Sequence, residues 1–405
     1  MHSNISYPGL KDFIITDSFM KDGVFHLHME VERKPHHCPS CNTLTNQIHD
    51  YRLQKIQHTN IFSRESILFY RKRRYVCGCC KKRFYEKNEL VDRYQRQSKE
   101  FKQSIALELI HGKSFKDVAD RFHTSTSTVI RRFDTINADM LKEPKQLPSV
   151  IAIDEYKGDA GGEKYQTIIA DPVDRRPLDI LPDRRKLTVQ KYLQQHGGNV
   201  NMVVMDMSPS FKAAVSQALD SPIIIADRFH FCRYIYWALD RARINVQKEF
   251  HDYDRKKCKR MRHVFYRPYE ELSDNQNWYL KRYLGMSNYL KRAYQLKEAY
   301  RYWFEESKTL GDNDLVGIKQ RLYQFYELVN DSGIKEFQKA IETFKNWQKE
   351  ILSSFAFDLH NGYIEGINNQ TKVIKRNAFG FRRFDRFRLR VLLHHQYKKM
   401  NMRVG

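Results

Sequence analysis

Three acidic residues stand where metal-dependent chemistry on a phosphate ester would need them. Two short apolar runs, 150–153 and 202–205, end on Asp154 and Asp206, and runs of this kind are typical of buried strands. The third acid, Glu365, lies far downstream on a basic helix. Carboxylates gathered at the rim of a sheet bind divalent metal ions, and two such ions suit phosphoryl transfer. The residues therefore predict a metal site that acts on nucleic acid.

A third apolar run, 223–226, ends on Asp227 and offers Asp154 a second possible partner. In the strand order that we expect, the strands before Asp154 and Asp206 are neighbours, so their carboxylates lie about 5 Å apart, one strand spacing. The strand before Asp227 lies one position further out. We therefore assign Asp206 to the metal and interpret Asp227 as an accessory residue. For each aspartate the alternative role is a helix N-cap. His230, near the same rim, either positions a phosphate or is structural.

The helix that carries Glu365 has an apolar face with Ile364 and Ile367 and a polar face opposite. The polar face comprises Glu365, Asn368, Asn369, Lys372, Lys375 and Arg376. This arrangement would let the glutamate reach a metal while the three cations hold flanking phosphates. The alternative is an exposed charged helix. In the basic segment that follows, we assign Arg382 and Arg383 to DNA and most phenylalanines to packing.

Four cysteines in two closely spaced pairs predict a zinc site. Cys38 and Cys41 form one pair, and Cys77 and Cys80 form the other. Two such pairs converge on one tetrahedral ion, and four thiolates leave no position for catalysis, so the zinc would be structural. Cys79 is interpreted as a bystander. The alternative is a set of free thiols.

The charge of the chain indicates a polyanionic partner. The 405 residues include 71 Lys and Arg against 48 Asp and Glu, a formal net charge of +23. Neutralising phosphates releases counterions, so such an excess favours nucleic acid. We expect no membrane partner, because no apolar stretch approaches the ~18 residues of a membrane span. Cysteine usage and the lack of a secretory signal predict a cytoplasmic protein that is nucleoid-associated when bound to DNA.

Three consecutive predicted helices have the dimensions of a helix-turn-helix. Gly112 ends the first helix, and helices at 115–122 and 126–135 follow. Arg131 and Arg132 on the third helix would then face phosphates or guanine edges. An ordinary three-helix core is the alternative.

The order of predicted elements gives a multidomain α+β fold. We expect an N-terminal β-hairpin and four-cysteine zinc-binding domain at 1–95, a helix-turn-helix DNA-binding domain at 96–140, a linker at 141–149, a ribonuclease H-like α/β catalytic domain at 150–230, an α-helical insertion at 231–350, and the second part of the catalytic domain, with the glutamate-bearing helix and the basic tail, at 351–405. The ribonuclease H-like prediction rests on the order of three antiparallel strands followed by alternating helix and strand.

These motifs resemble those of the ISL-three-type bacterial insertion-sequence transposases of the DDE superfamily, along the whole chain. Besides the cysteine pairs and the helix-turn-helix, the resemblance is carried by Ile153-Asp154-Glu155-Tyr156, Asp206-Met207-Ser208, Asp227-Arg228-Phe229-His230, Asn361-Gly362-Tyr363-Ile364-Glu365-Gly366-Ile367-Asn368 and Ile374-Lys375-Arg376-Asn377-Ala378-Phe379-Gly380-Phe381. The resemblance implies an enzyme that binds terminal inverted repeats, cuts at the element ends and joins them to target DNA. It also implies that Asp154, Asp206 and Glu365 are a catalytic triad with Mg²⁺ or Mn²⁺.

The implied partner is double-stranded DNA, both the terminal inverted repeats and the target. Because two ends react in one complex, we expect a homodimer or a larger assembly on DNA. Two other functions stay open: a DNA-binding regulator with an inactive transposase-like domain, and a structure-specific nuclease of the same fold that cuts without joining. The N-terminal modules favour the transposase, because they suit recognition of a specific end sequence.

Overall fold

The computed structural model describes residues 10, 12–92, 94–140, 146–357, 359 and 361–400. The chain divides into two compact units. The first comprises Met1–Lys142, Val373–Phe381 and Asp385–Gly405, and the second comprises Glu143–Lys372 and Arg382–Phe384. Residues 141–145 of the predicted linker lie outside the described residues. None of the described helices has both the length and the apolar character that crossing a membrane requires.

The first unit begins with β-structure around a mixed sheet. Its strands are β1 (Phe13–Lys21), β2 (Val24–Val31), β3 (His36–His37), β4 (Leu44–Thr45), β5 (Ile48–Ile61), β6 (Arg64–Val76) and β7 (Arg83–Tyr85). The main sheet has the order β1-β2-β6-β5, and β7 pairs with β6. The predicted N-terminal hairpin is present, formed by β1 and β2. Asp22 and Gly23 close it with φ values of 51° and 78°, which suit a two-residue turn between right-twisted strands.

Three helices follow in the first unit, as predicted. They are α1 (Lys99–Ile110), α2 (Phe115–Arg121) and α3 (Thr126–Met140). Serines begin the first two: Ser98 accepts a hydrogen bond from the amide of Phe101, and Ser114 accepts one from the amide of Asp117. Such caps satisfy amides that have no partner within the helix. The helices enclose a buried apolar core that includes Phe101 and Phe133.

The second unit is built on a five-stranded sheet. In chain order its elements are β8 (Val150–Tyr156), β9 (Gln166–Asp171), β10 (Arg176–Leu181), α4 (Lys186–His196), β11 (Met202–Met205), α5 (Pro209–Ala218) and β12 (Ile223–Ala226). The strand order is β10-β9-β8-β11-β12. The strands β10, β9 and β8 pair antiparallel, whereas β8, β11 and β12 pair parallel. The predicted alternation of strands and helices is therefore present, and β11 and β12 coincide with the apolar runs 202–205 and 223–226.

Helices make up the next part of the second unit. They are α6 (Arg228–Val246), α7 (Asp252–Arg260), α8 (His263–Tyr266), α9 (Asp274–Met286), α10 (Asn288–Leu310), α11 (Leu315–Ser332), α12 (Lys335–Asn346) and α13 (Gln348–Ala356). The region predicted to be helical, 231–350, is helical, and helix extends beyond both predicted ends. Sheet and helices share one apolar core, to which Val203 of β11, Phe231 of α6 and Tyr300 of α10 belong. This core holds the ends of β8, β11 and β12 in place.

The last two helices are α14 (Gly362–Asn377) and α15 (Phe384–Met400). Of the predicted second catalytic segment, 351–405, Val373–Phe381 and Asp385–Gly405 group with the first unit. The physical reason is packing: Leu389 and Leu393 of α15 are buried in the same apolar core as α1–α3. Arg386 of α15 also donates two hydrogen bonds to the carboxylate of Asp134, at 2.8 and 2.7 Å.

Candidate active site

One cleft in the second unit, with a volume of about 390 Å³, contains the predicted acids. Asp154, Asp206, Asp227, Glu365 and His230 all line it. Three of the acids come from neighbouring strands: Asp206 and Asp227 directly follow β11 and β12, and Asp154 follows the last residue of β8 that pairs with β11. Because the carboxyl ends of parallel strands lie at the same edge of a sheet, residues at these ends lie close together.

The prediction that the first strand ends at Asp154 is wrong in one respect. β8 continues to Tyr156, because its antiparallel pairing with β9 extends past the point where its pairing with β11 ends. Asp154 therefore lies on a strand that is held on one side, which fixes its backbone more firmly than a strand end would. The amide of Glu155 donates to Asp154 Oδ1 at 2.7 Å.

The pKa of the Asp154 carboxyl is shifted well above its ordinary value. Burial, together with the negative charge of Asp206, raises the pKa of Asp154 to about 7. Asn368 of α14 partly opposes this effect, because its Nδ2 donates to Asp154 Oδ2 at 2.9 Å. A cation bound between two neighbouring carboxyl groups would favour their ionised forms. The electrostatics of the cleft therefore fit a metal ion.

Asp206, Asp227 and His230 form the tightest group in the cleft. Their ligand atoms lie within 4.8 Å of one another. His230 Nε2 is 2.8 Å from Asp206 Oδ1 and 3.8 Å from Asp227 Oδ2. Burial lowers the pKa of His230, but the hydrogen bond and charge of Asp206 outweigh it, so the pKa of His230 is raised. The imidazole thus compensates part of the negative charge of the aspartates.

Neither Asp206 nor Asp227 acts as a helix cap through its side chain. The N-cap residue of α5 is Ser208, whose hydroxyl accepts from the amide of Phe211. Asp227 occupies the N-cap position of α6, but its carboxylate makes no capping hydrogen bond there. Instead, Asp227 Oδ1 accepts from the backbone amide of Asn361 at 3.2 Å. The alternative interpretation of these aspartates as ordinary caps is therefore not supported.

The start of α14 presents one stripe of polar residues to the cleft. Asn361, directly before α14, and Glu365, Asn368 and Lys372 on it all line the cleft, and their spacing of four, three and four residues puts them on one side of a helix. On the opposite side, Ile364 is fully buried, as the sequence pattern predicts. Glu365 itself is exposed, so a metal or substrate can reach it.

Sequence reasoning did not assign the two asparagines of this stripe. Asn361 is 6 % exposed and Asn368 is 7 % exposed, which is unusual for carboxamides on a charged helix. The available signal was their spacing: Asn361 lies four residues before Glu365, and Asn368 lies three residues after it.

The four predicted zinc ligands also converge. Sγ atoms of Cys38 and Cys80 are 3.5 Å apart, those of Cys41 and Cys77 are 3.5 Å apart, and those of Cys41 and Cys80 are 3.4 Å apart. A tetrahedral zinc ion with Zn–S distances near 2.3 Å needs sulfurs about 3.8 Å apart, so small shifts would accommodate it. Cys79 is exposed and does not belong to the cluster, as predicted.

The basic residues assigned to DNA fall into two groups. Arg131, Lys372, Arg376, Arg382 and Arg383 are exposed, and Lys375 is half-buried. Arg132 differs from these residues. Its guanidinium donates to Gln97 Oε1 at 2.8 Å and to Gln95 Oε1 at 3.3 Å, so it holds α3 to the segment before α1.

Comparison with known proteins agrees with this architecture. Family models match at residues 34–80 (zinc-finger of transposase IS204/IS1001/IS1096/IS1165), 86–137 (helix-turn-helix domain of transposase family ISL3) and 151–391 (transposase). The zinc-finger match and the four-thiol cluster together support structural zinc, and the helix-turn-helix match supports DNA binding.

Two curated relatives are similar to the chain. The transposase for insertion sequence element IS1001 of Bordetella parapertussis is 25 % identical over 367 residues, which are 87 % of each chain. An ATP-dependent protease of Lactococcus lactis subsp. lactis is 37 % identical over 84 residues, which are 20 % of this chain and 27 % of that protein. The second match is too short to bear on activity. Because the transposase model spans more than half of the residues, the chain belongs to the ISL3 family of insertion-sequence transposases.

Proposed function

We propose that this transposase cuts DNA at the ends of its insertion sequence and joins them to a target, using Asp154, Asp206 and Glu365 as a triad of metal-binding carboxylates. The observation that carries the proposal is the meeting of these acids, from two strands and a distant helix, in a single cleft. The family supports the overall reaction, and the residue assignment rests on the geometry.

The proposed fold of the catalytic domain is ribonuclease H-like. Its support is the strand order β10-β9-β8-β11-β12, with three antiparallel strands followed by two parallel ones. In this proposal, most of the helical region from α6 to α13 is an insertion between the strand before Asp227 and the helix that bears Glu365. The insertion explains why the third acid lies so far from the first two in the chain.

The donor set of the cleft suits Mg²⁺ or Mn²⁺. These hard cations prefer carboxylate and carbonyl oxygens. The raised pKa of Asp154, caused by its burial and by the nearby charge of Asp206, supports the proposal, because a bound cation would favour the ionised form. Bound metal would supply activation of the attacking oxygen and charge stabilisation at the leaving oxygen. Asp154, Asp206 and Glu365 would hold it.

The neighbours of the acids orient them. In the proposal Asn368 holds Asp154, and His230 holds Asp206, so that each carboxylate keeps one orientation. Lys372, exposed on the same stripe as Glu365, would neutralise a phosphate of the bound strand. Asp227 would be an accessory residue that holds the start of α14 in position, because its carboxylate accepts a hydrogen bond from the backbone amide of Asn361.

Recognition of the element ends is proposed for the first unit. The zinc domain and the helix-turn-helix would bind the terminal inverted repeats, with the exposed Arg131 on α3 at the DNA. Because the reaction joins two ends, the active species would be a homodimer or a larger assembly on DNA. The basic residues of α14 and of the segment after it would bind flanking or target DNA.

A cellular excision assay tests the proposal. A plasmid would carry the gene with its native flanking DNA, and wild type would be compared with Asp154→Asn at equal protein abundance. We expect excision and new insertions with wild type and none with the variant. Specific binding to the flanking DNA without any events for wild type would instead support the regulator, and cutting without joining would support the nuclease.

A further inference from the structure

The carboxamide of Asn361 is buried at the acid cleft without a partner. Asn361 is 6 % exposed and lines the cleft together with Asp154, Asp206 and Glu365. Among the residues that the structure describes, neither its Nδ2 nor its Oδ1 has a hydrogen-bond partner. The backbone of the same residue is well held, since its amide donates to Asp227 Oδ1 at 3.2 Å and its carbonyl accepts from the amide of Ile364 at 2.8 Å.

An unpaired buried amide costs folding free energy. Most buried polar side chains have partners, so an unpaired one needs an explanation, and at a cleft a bound ligand is one such explanation. Asn368 provides the contrast on the same helix: its Nδ2 is used by Asp154, and only its Oδ1 has no partner. Asn361 is thus a buried residue of the stripe whose side-chain donor and acceptor both have no partner among the described residues.

The surroundings of Asn361 indicate what it binds. It directly precedes α14, a helix of 16 residues, and the N-terminal end of a helix carries partial positive charge that favours anions. An amide N–H donor at such a position suits a phosphate oxygen. A neutral donor at this position would add to Lys372, the cation of the same stripe, a second group that can bind a phosphate of the DNA strand.

We propose that Asn361 Nδ2 donates a hydrogen bond to a non-bridging oxygen of the DNA phosphodiester at the acid cleft. The inference rests on the proposed function and adds a substrate-contacting residue to it. Asn361 then stabilises charge that grows on this oxygen as the phosphate is attacked, in the manner of an oxyanion-hole donor. Asp227 acts through Asn361, because it fixes the backbone from which the carboxamide extends.

The first test uses substitutions of nearly equal size. Asn361→Leu removes the donor, and Asn369→Leu, at an exposed position of α14, is the matched control. For Asn361→Leu we expect cleavage of end DNA to fall about 10²-fold, as when one oxyanion-hole donor is lost. The thermal midpoint should stay the same or rise, because a costly unpaired amide has been removed. A structural role for Asn361 would instead lower the midpoint, and this result would overturn the proposal.

The second test measures the contact with the phosphate directly. DNA with sulfur in place of either non-bridging oxygen at the cut site is compared with normal DNA, for wild type and for Asn361→Leu. When sulfur replaces the contacted oxygen, Asn361→Leu should lower the cleavage rate little further, because both changes remove the same hydrogen bond and their effects are therefore not additive. If Asn361→Leu lowers the cleavage rate equally on both thio isomers and on normal DNA, Asn361 does not contact this phosphate.

A third variant separates phosphate from metal. Asn361→Asp places a negative charge near the phosphate, so cleavage should fall at least as far as with Asn361→Leu. Wild-type cleavage with Asn361→Asp, or a lower Mg²⁺ requirement, would assign the residue to the metal and overturn the proposal. If wild type cuts and Asp154→Asn does not, the proposed function stands whatever the result at Asn361. If wild type does not cut, the proposed function itself fails.

Discussion

At Asp154, burial and a neighbouring carboxylate act in the same direction. Both disfavour the ionised form, and the pKa of about 7 is the result. A group held in this state near neutral pH is poorly explained by stability alone, because an ionised surface carboxylate would cost less. The hydrogen bond from Asn368 keeps the carboxylate in one orientation. At this scale the three aspartates of the cleft, Asp154, Asp206 and Asp227, each contact a neighbouring residue that positions the carboxylate.

The contact between Asn368 and Asp154 leads to a prediction at the residue scale. Asn368→Ala should lower the rate of Mg²⁺-dependent cleavage about 10- to 100-fold, the usual effect of losing a residue that orients a metal ligand. The Mg²⁺ concentration for half-maximal rate should rise as well. Cleavage rates over a Mg²⁺ titration would measure both, with the exposed Asn369→Ala as control. An unchanged Mg²⁺ requirement would show that Asn368 does not position Asp154.

The two arginines of α3 should behave differently. Arg131 is exposed, so Arg131→Ala should weaken end binding and lower the salt slope of log K by about 1. Arg132 is bound to Gln95 and Gln97, so Arg132→Ala should also lower the thermal midpoint. Binding assays at several salt concentrations and thermal unfolding would separate the two effects. A stability loss for Arg131→Ala and none for Arg132→Ala would reverse this assignment.

At the scale of elements, the sequence predicts strands and helices well where their pattern is strong. Strand β12 is predicted without error, and the faces of α14 agree with the burial of Ile364 and the exposure of Glu365. Periodicity captured these elements because burial on one side imposes it. The role of Asn361 could not be predicted in this way, because a single asparagine creates no period and its burial depends on the tertiary structure.

The packing of α15 could not be predicted from the sequence either. Leu389 lies between two arginines in a segment rich in basic residues, and no local pattern indicates which core Leu389 and Leu393 enter. Likewise, the partner strand of Asp154 followed from the expected strand order, whereas the extension of β8 to Tyr156 depends on its pairing with β9. The packing of α15 and the end of β8 depend on contacts between residues far apart in the chain, which a local sequence pattern does not indicate.

A buried histidine links β5 to α1 and gives a prediction for pH. His58 is 4 % exposed, and its Nδ1 lies 2.8 Å from the hydroxyl of Ser98, the N-cap of α1. Burial lowers the pKa of His58 and outweighs the opposing charge of Glu100. The unfolded chain therefore takes up this proton first as pH falls. The free energy of unfolding should decrease as pH falls through about 6.5, the unfolded value.

Substitution tests this linkage. His58→Gln removes the titrating group and should reduce the dependence of stability on pH between about 7 and 5. Denaturant unfolding across this range would measure it, with His111→Gln at an exposed position as control. The same pH dependence in both variants would mean that other groups cause the acid sensitivity.

At the scale of the whole molecule, the positive charge of the protein and the negative charge of the acid cleft have different proposed roles. The net charge of +23 favours association with DNA of any sequence, whereas the acid cleft is a local concentration of negative charge within a basic protein. The proposed function uses both properties, because the protein would have to hold DNA and also bind a metal ion where the DNA is cut. The family match covers the zinc, helix-turn-helix and transposase regions in this order.

Zinc should be required for end binding. Removing it with a chelator should lower the thermal midpoint and abolish specific binding, because the four-cysteine cluster ties Cys38–Cys41 to Cys77–Cys80. Cys41→Ser should lose zinc, whereas the exposed Cys79→Ser should retain it. Zinc content measured by atomic absorption, together with end-binding assays, would check this. Full zinc content in Cys41→Ser would contradict the assignment of ligands.

The central claim is that Asp154, Asp206 and Glu365 cut DNA with a divalent metal. The most direct measurement is single-turnover cleavage of a duplex carrying the element end by purified protein with Mg²⁺, for wild type, Asp206→Asn, Asp227→Asn and Glu365→Gln. We predict a loss of at least about 10²-fold for Asp206→Asn and Glu365→Gln, with end binding unchanged and with substantial cleavage kept by Asp227→Asn. Cleavage at the wild-type rate by Glu365→Gln, or loss only with Asp227→Asn, would contradict the account.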